Sequence, residues 1–250
     1  TLSNDHKFFL QGNHDMDEET TDGTLTPSGA HETEAYSVFA INEKDYNWYN
    51  DSEATIKATA SNLRSYLNAK CRAGYTKPIF IMSHIQLHYS MRTYGSGDGK
   101  YANYLFDVLN EAAGNGLNIF FLFGHNHSNG WDDYLGGAAV YVPKGETIVV
   151  PDHTNYRNAP IETELKFTYM NFGYVSSYGT NGTGVDTALT MCTFRIQANG
   201  DVIITRYDKN GVHNLKSAGK ANSIDESGYT FDDERVYESS RIVGANKDEE

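Results

Sequence analysis

The sequence predicts an α/β fold with a layered core, and three observations carry that expectation. Short apolar runs alternate with amphipathic helical stretches up to residue 123. The runs "IFIM" (79–82) and "LNIFFLF" (117–123) are continuously apolar, as strands covered on both faces are. Beyond them the pattern changes to shorter, alternating runs separated by hairpin turns, the mark of antiparallel sheet.

The elements follow in order. "KFFL" (7–10) reads as a short buried strand, and 16–50 as a polar, aromatic-containing insertion without a clear period. A helix begins at Asp51 or Ser52, either of which suits an N-cap. Its apolar stripe is Ile56, Ala60, Leu63, Leu67 and Cys71, spaced by three or four. "AGYTKP" ends it, and the strand 79–82 follows. After the Gly-rich loop "YGSGDGK" (94–100), a second helix gathers Tyr101, Tyr104, Leu105, Val108, Leu109 and Ala112 on one face, and "GNG" stops it. The strand 117–123 closes a strand–helix–strand unit. The later runs "AAVYVP", "ETIVV", "FTYMNFGYVSSYG", "ALTMCTFRIQ" and "DVIITRYD" predict a mostly antiparallel second half, with turns at "ANGD" and "DKNG". "DKNG" reads as a hairpin turn and not as a calcium loop, since its flanking positions lack ligands.

Composition sets bounds. The 250 residues suit one domain with a single layered core, and 39% hydrophobic content supplies it. A net charge of -13 argues against a nucleic-acid backbone as the main partner. The acidic residues of 225–250 read as a solvated, loose tail. Two cysteines, Cys71 and Cys192, make neither a disulfide framework nor a thiolate zinc site, and both fall in core patterns. No apolar run approaches the length of a membrane span.

Chemistry gathers where the strands stop. The first apolar run hands over to "GNHD", with Asn13, His14 and Asp15. The run 79–82 ends at Ser83-His84, and 117–123 ends at "GHNH", with His125 and His127. Sites in open α/β sheets form beyond the carboxyl ends of strands, so adjacent strands would bring these groups to one place. Imidazole nitrogens with amide and carboxylate oxygens suit zinc, manganese or iron.

In motif and order these residues resemble the calcineurin-like metallophosphoesterases, the superfamily that includes purple acid phosphatases. The family's blocks run D-x-H, G-D-x-x-D, G-N-H-D/E, a lone H, then G-H-x-H. "GNHD" (12–15), "SH" (83–84) and "GHNH" (124–127) match the last three. The resemblance implies an α-β-β-α sandwich and a hydrolase acting on a phosphorylated substrate, a phosphomonoester or phosphodiester. Asn13, His84 and His125 would bind one divalent metal ion and His127 a second, with manganese, iron or zinc as the ions. His14 would stabilise or protonate the leaving oxygen, oriented by Asp15. His88 and Arg157 are substrate-binding candidates, and the 16–50 insertion with the loops around 89–100 and 151–168 would set specificity.

The first two blocks have no counterpart, since the eleven residues before Gly12 hold neither. Those blocks supply the carboxylate that bridges the metals, and two divalent cations about 4 Å apart repel strongly without one. The expectation is therefore an incomplete catalytic domain, lacking N-terminal strands and helices, inactive or weakly active by itself. An exposed sheet edge would favour self-association. The alternatives are a non-catalytic binding or interaction module on the same scaffold, or a site completed by a second chain.

Overall fold

The computed structural model describes residues 8–10, 12, 25–46, 52–90, 93, 97, 99–125, 141–152, 154, 159–172, 191–198, 200–208, 211–214, 219–220, 237–238 and 242–243. In chain order these form β1 (Gly29–Glu32), β2 (Ser37–Ile41), α1 (Glu53–Arg72), β3 (Ile79–Ser83), α2 (Ala102–Gly114) and β4 (Ile119–Phe123). Then come β5 (Tyr141–Val142), β6 (Thr147–Val150), β7 (Ile161–Glu164), β8 (Thr168–Asn171), β9 (Met191–Ile196), β10 (Val202–Asp208) and β11 (Gly211–Asn214). Three two-residue strands complete the order: β12 (Gly219–Lys220), β13 (Tyr237–Glu238) and β14 (Ile242–Val243). The fold is mixed α/β.

Its centre is a six-stranded sheet ordered β1-β2-β3-β4-β8-β5. The four middle strands run parallel, and β1 and β5 pair antiparallel at the edges. Strand alternation splits the core in two. Phe39, Ile41, Ile79, Ile81, Ile119, Phe121, Phe123 and Tyr169 face the two helices and pack with Ile56, Leu63, Leu67, Leu105, Phe106 and Leu109. Val38, Phe80, Phe120, Leu122 and Met170 face the other way, against Cys192, Val202 and Ile204 of the second sheet, in which β9, β11 and β14 all pair with β10. Both faces are covered, which is why β3 and β4 are continuously apolar.

The helices start and stop on local chemistry. Ser52 is the N-cap of α1, and its Oγ accepts from the Thr55 N–H at 3.1 Å. Both helices end in a Schellman turn. At α1, Tyr75 N–H donates to Lys70 C=O and Gly74 N–H to Cys71 C=O; at α2, Leu117 N–H donates to Ala112 C=O and Gly116 N–H to Ala113 C=O. Gly74 and Gly116 hold φ of 61° and 95°, the left-handed region such turns require. Arg64 of α1 and Glu111 of α2 form an exposed ion pair between the helices. Among the described residues, no helix is long and apolar enough to cross a membrane.

Several expectations need correction. Residues 8–10 form no strand: Phe9 is 52% exposed and exchanges two hydrogen bonds of 2.9 Å with Thr26. The 16–50 segment is not an irregular insertion, because it supplies β1 and the fully buried β2 that lies beside β3. The second half is mostly antiparallel, as expected, with β8 the exception: it lies parallel to β4, with Phe121 opposite Tyr169. β7 arises in a segment expected to be loop. Of the helix stripes, Cys71 is only partly buried, and Tyr101 is the N-cap of α2. Within 225–250, Tyr237–Glu238 pairs with β12 and Ile242–Val243 with β10. The remainder of that stretch lies outside the described residues. The hairpin at "DKNG" is as expected, with Asp208 opposite Gly211.

A polar latch ties the edge strand to α1. Lys70 Nζ donates to Glu32 Oε2 at 2.7 Å and to Ser37 Oγ at 3.1 Å; Ser37 Oγ donates to Glu32 Oε2 at 2.6 Å. Burial pushes the Glu32 carboxyl up, but the hydrogen bonds from Lys70 and Ser37, the Lys70 charge and the Tyr66 hydroxyl outweigh it, so the group sits below its ordinary value. A carboxylate depressed in the folded state stabilises fully above its unfolded pKa of about 4.3 and loses that contribution as pH falls through the folded value. Glu32→Gln should therefore melt below wild type at pH 7, and the gap should narrow as pH drops below about 4. Melting curves of both proteins from pH 7 to pH 3 check this, and a gap independent of pH would contradict it.

Candidate functional site

The β3–β4 register puts two motif segments side by side. Met82 lies opposite Leu122, and just beyond, Gly124 N–H donates to His84 C=O at 3.1 Å. The ladder is thus extended past the last strand residues, and the two chains leave the sheet together. His84 Nε2 and His125 Nδ1 then stand 3.2 Å apart, with ring centroids at 5.0 Å and planes at 70°.

His125 reaches this position at a conformational cost. Its φ is +66°, the one non-glycine residue with positive φ among the described residues. The left-handed region costs an ordinary L-residue roughly 1–2 kcal/mol, and such strain gathers where geometry serves a site. The residue is also buried, at 5% exposure.

Gly12 brings the third segment in. A Cβ built on it would lie 3.0 Å from both Cε1 and Nδ1 of His84, closer than side chains normally pack. The missing side chain lets this backbone rest on the imidazole. So the glycine that opens "GNHD", the histidine of "SH" and the first histidine of "GHNH" occupy one place at the carboxyl end of the parallel strands.

The His84–His125 pair can be tested against metal geometry. Two imidazole nitrogens about 2.0–2.1 Å from one ion stand roughly 2.9–3.4 Å apart for ligand angles from square to tetrahedral. The 3.2 Å separation falls inside that window, so the two nitrogens fit adjacent positions on a divalent ion. The same separation suits an N–H···N hydrogen bond between the rings. Among the described residues, no group of three or more His, Cys, Asp and Glu gathers as a metal cluster. Glu43, buried two residues past the end of β2, lies at this end of the sheet but does not make the pair a group of three.

His88 sits in the interior. It is 1% exposed, its Nδ1 lies 2.8 Å from the Tyr169 hydroxyl, and its ring packs on Phe123 with centroids 5.5 Å apart. Asn13, His14, Asp15, His127 and Arg157 lie outside the described residues. Sequence reasoning missed Tyr169 and Tyr46, which hold the loop after His84: Tyr46 OH donates to Gln86 C=O at 2.6 Å, and the Tyr169 hydroxyl accepts from Leu87 N–H at 2.7 Å. A signal existed for Tyr169. A tyrosine inside a wholly buried strand must find a partner for its hydroxyl.

No protein-family model matches the chain, and no curated protein matches it either.

The contact at Gly12 makes a direct prediction. Gly12→Ala must push the His84 ring by a few tenths of an ångström. Imidazole resonances of His84 and His125 should shift while the melting temperature changes little. Unchanged resonances would show that the 12–84 contact does not position the ring. His125→Asn retains a residue type tolerated at positive φ, so it should keep the fold and lose whatever the imidazole binds, read as melting temperature against zinc affinity.

Proposed function

We propose that this chain carries the metal-binding end of a metal-dependent phosphoesterase of the calcineurin-like type, on an α-β-β-α sandwich. One observation carries the reading: three segments far apart in sequence, containing Gly12, His84 and Gly124–His125, meet at the carboxyl ends of adjacent parallel strands, with two imidazole nitrogens at metal-ligand spacing. His84 and His125 hold a divalent ion in this reading, with Asn13 and His127 adding donors. A bound ion would supply Lewis-acid polarisation of a phosphoryl oxygen and lower the pKa of a bound water. The resemblance would give His14, oriented by Asp15, the role of donating a proton to the leaving oxygen.

Charge limits the loading. The histidines and Asn13 are neutral donors, and a second divalent cation about 4 Å away needs an anionic bridge. The reading therefore expects this chain to take up about one divalent ion, held weakly, and to turn over slowly or not at all by itself.

Metal content and hydrolysis test this together. The purified 250-residue chain is equilibrated with manganese or zinc, its metal measured by elemental mass spectrometry, and the same sample assayed with a chromogenic phosphomonoester and a phosphodiester. Uptake near one equivalent, lost in His84→Ala and in His125→Asn, supports the reading; uptake unaffected by both substitutions sinks it. Where turnover is measurable, His14→Ala should remove it and leave metal uptake in place. Turnover unaffected by His14→Ala would remove that residue from the chemistry. Metal uptake with no turnover under any loading favours a binding module on the same scaffold.

A further inference from the structure

We propose that Tyr169 is a positioning residue for His84, acting through the loop that joins His84 to His88. The inference rests on the metal-site reading above and names a residue outside its ligand set.

Tyr169 is fully buried in β8 and held by aromatic contacts. Its ring stacks on Phe123 with centroids at 4.6 Å and planes at 22°, and on Phe121 at 5.7 Å and 26°; Phe167 meets it edge-on at 6.4 Å. Phe123 and Phe121 belong to β4, the strand that leads directly to His125. The hydroxyl is therefore fixed by the same strand that fixes the partner of His84.

Among the described residues, Leu87 N–H meets that hydroxyl at 2.7 Å, His88 N–H at 3.2 Å and His88 Nδ1 at 2.8 Å. A phenol has one proton to donate and two lone pairs to accept with. Both lone pairs are taken by backbone N–H groups, so the proton goes to His88 Nδ1. That nitrogen must then carry its lone pair, and His88 is a neutral imidazole with its proton on Nε2.

The clamp matters because of where it sits. Leu87 is three residues past His84. At the near end the loop is pinned by Gly124 N–H on His84 C=O, and in its middle by Tyr46 OH on Gln86 C=O. The Tyr169 hydroxyl pins the far end with two bonds. Without it the loop keeps its near and middle attachments, and the Tyr89 N–H bond to Val149 C=O at 2.7 Å beyond it, but loses both bonds that hold Leu87 and His88. Outer groups that orient a metal-binding histidine typically change metal affinity by about 10–100-fold.

The test uses Tyr169→Phe in the full chain, with Leu67→Ala in α1 as a control for lost packing. Long-range proton–nitrogen spectra read the His88 tautomer, and competition with a chromophoric zinc chelator reads affinity. In wild type His88 should show the Nε2–H tautomer. Tyr169→Phe should abolish that fixed state and weaken zinc binding about 10-fold or more, whereas Leu67→Ala should lower the melting temperature and alter neither. An Nδ1–H tautomer in wild type overturns the clamp. Unchanged zinc affinity in Tyr169→Phe overturns the positioning role and leaves the metal site standing. Wild type that takes up no zinc overturns the site reading and the positioning role with it, and the tautomer spectrum then reports separately whether the clamp exists.

Discussion

The register between β3 and β4 governs everything else in this molecule. Ile79 lies opposite Ile119 and Met82 opposite Leu122, and both strands bury side chains on both faces. A slip by one residue would exchange the faces of every side chain in one strand, sending Ile79 and Ile81 toward the second sheet and Phe80 toward the helices. Two differently shaped cores disfavour that exchange. Because the register is fixed, Gly124 falls next to His84, and the His84–His125 spacing follows. The packing of a strand interior thereby sets the geometry at its end.

Much of this was legible in the chain. The start of α1 at Asp51 or Ser52 and the helix ends at "AGYTKP" and "GNG" were legible, because capping and glycine chemistry are local and read the same in any fold. β3 and β4 followed from their uninterrupted apolar runs. What could not be read were strands whose identity depends on a partner. β2 is five residues long, and "SVFAI" becomes recognisable as a central strand only when β3 lies beside it. β8 was visible as a strand but not as a parallel one, since apolar content does not encode direction. "KFFL" carried a strand composition, but its described residues bond to Thr26 without forming a strand ladder, and the Phe9 side chain faces water.

The site divides in the same way. His84 and His125 were legible because each follows a buried run by one or two residues. Tyr169 was not, because its three hydrogen bonds reach back more than eighty positions. His88 shows the same limit from the other side. The sequence left it open between lining a substrate pocket and simple packing, and the fold shows its ring against Phe123 and Tyr169.

Two polar clusters occupy opposite ends of the sheet, and their differences bear on which one is built for a ligand. The latch at the amino end of β2 looks reactive by composition, with a serine beside a lysine, a tyrosine and a glutamate. It is nonetheless closed. Ser37 Oγ gives its proton to Glu32, so the Tyr75 hydroxyl, 2.6 Å away, must donate to Ser37, as Lys70 does; the Lys70 ammonium also lies 3.9 Å from the Tyr75 ring centre. Ser37 has filled its one donor and two acceptor positions, and it is fully buried. Such a network joins an edge strand to a helix and has no place for a further group. At the carboxyl end the balance is different. A non-glycine backbone is held at φ +66° so that two imidazoles face each other, and a glycine lets a third segment rest on one of them. Packing alone does not call for that arrangement, because a glycine at 125 would relieve the strain. On the proposed reading, the histidine there is accounted for by the ion its ring would hold.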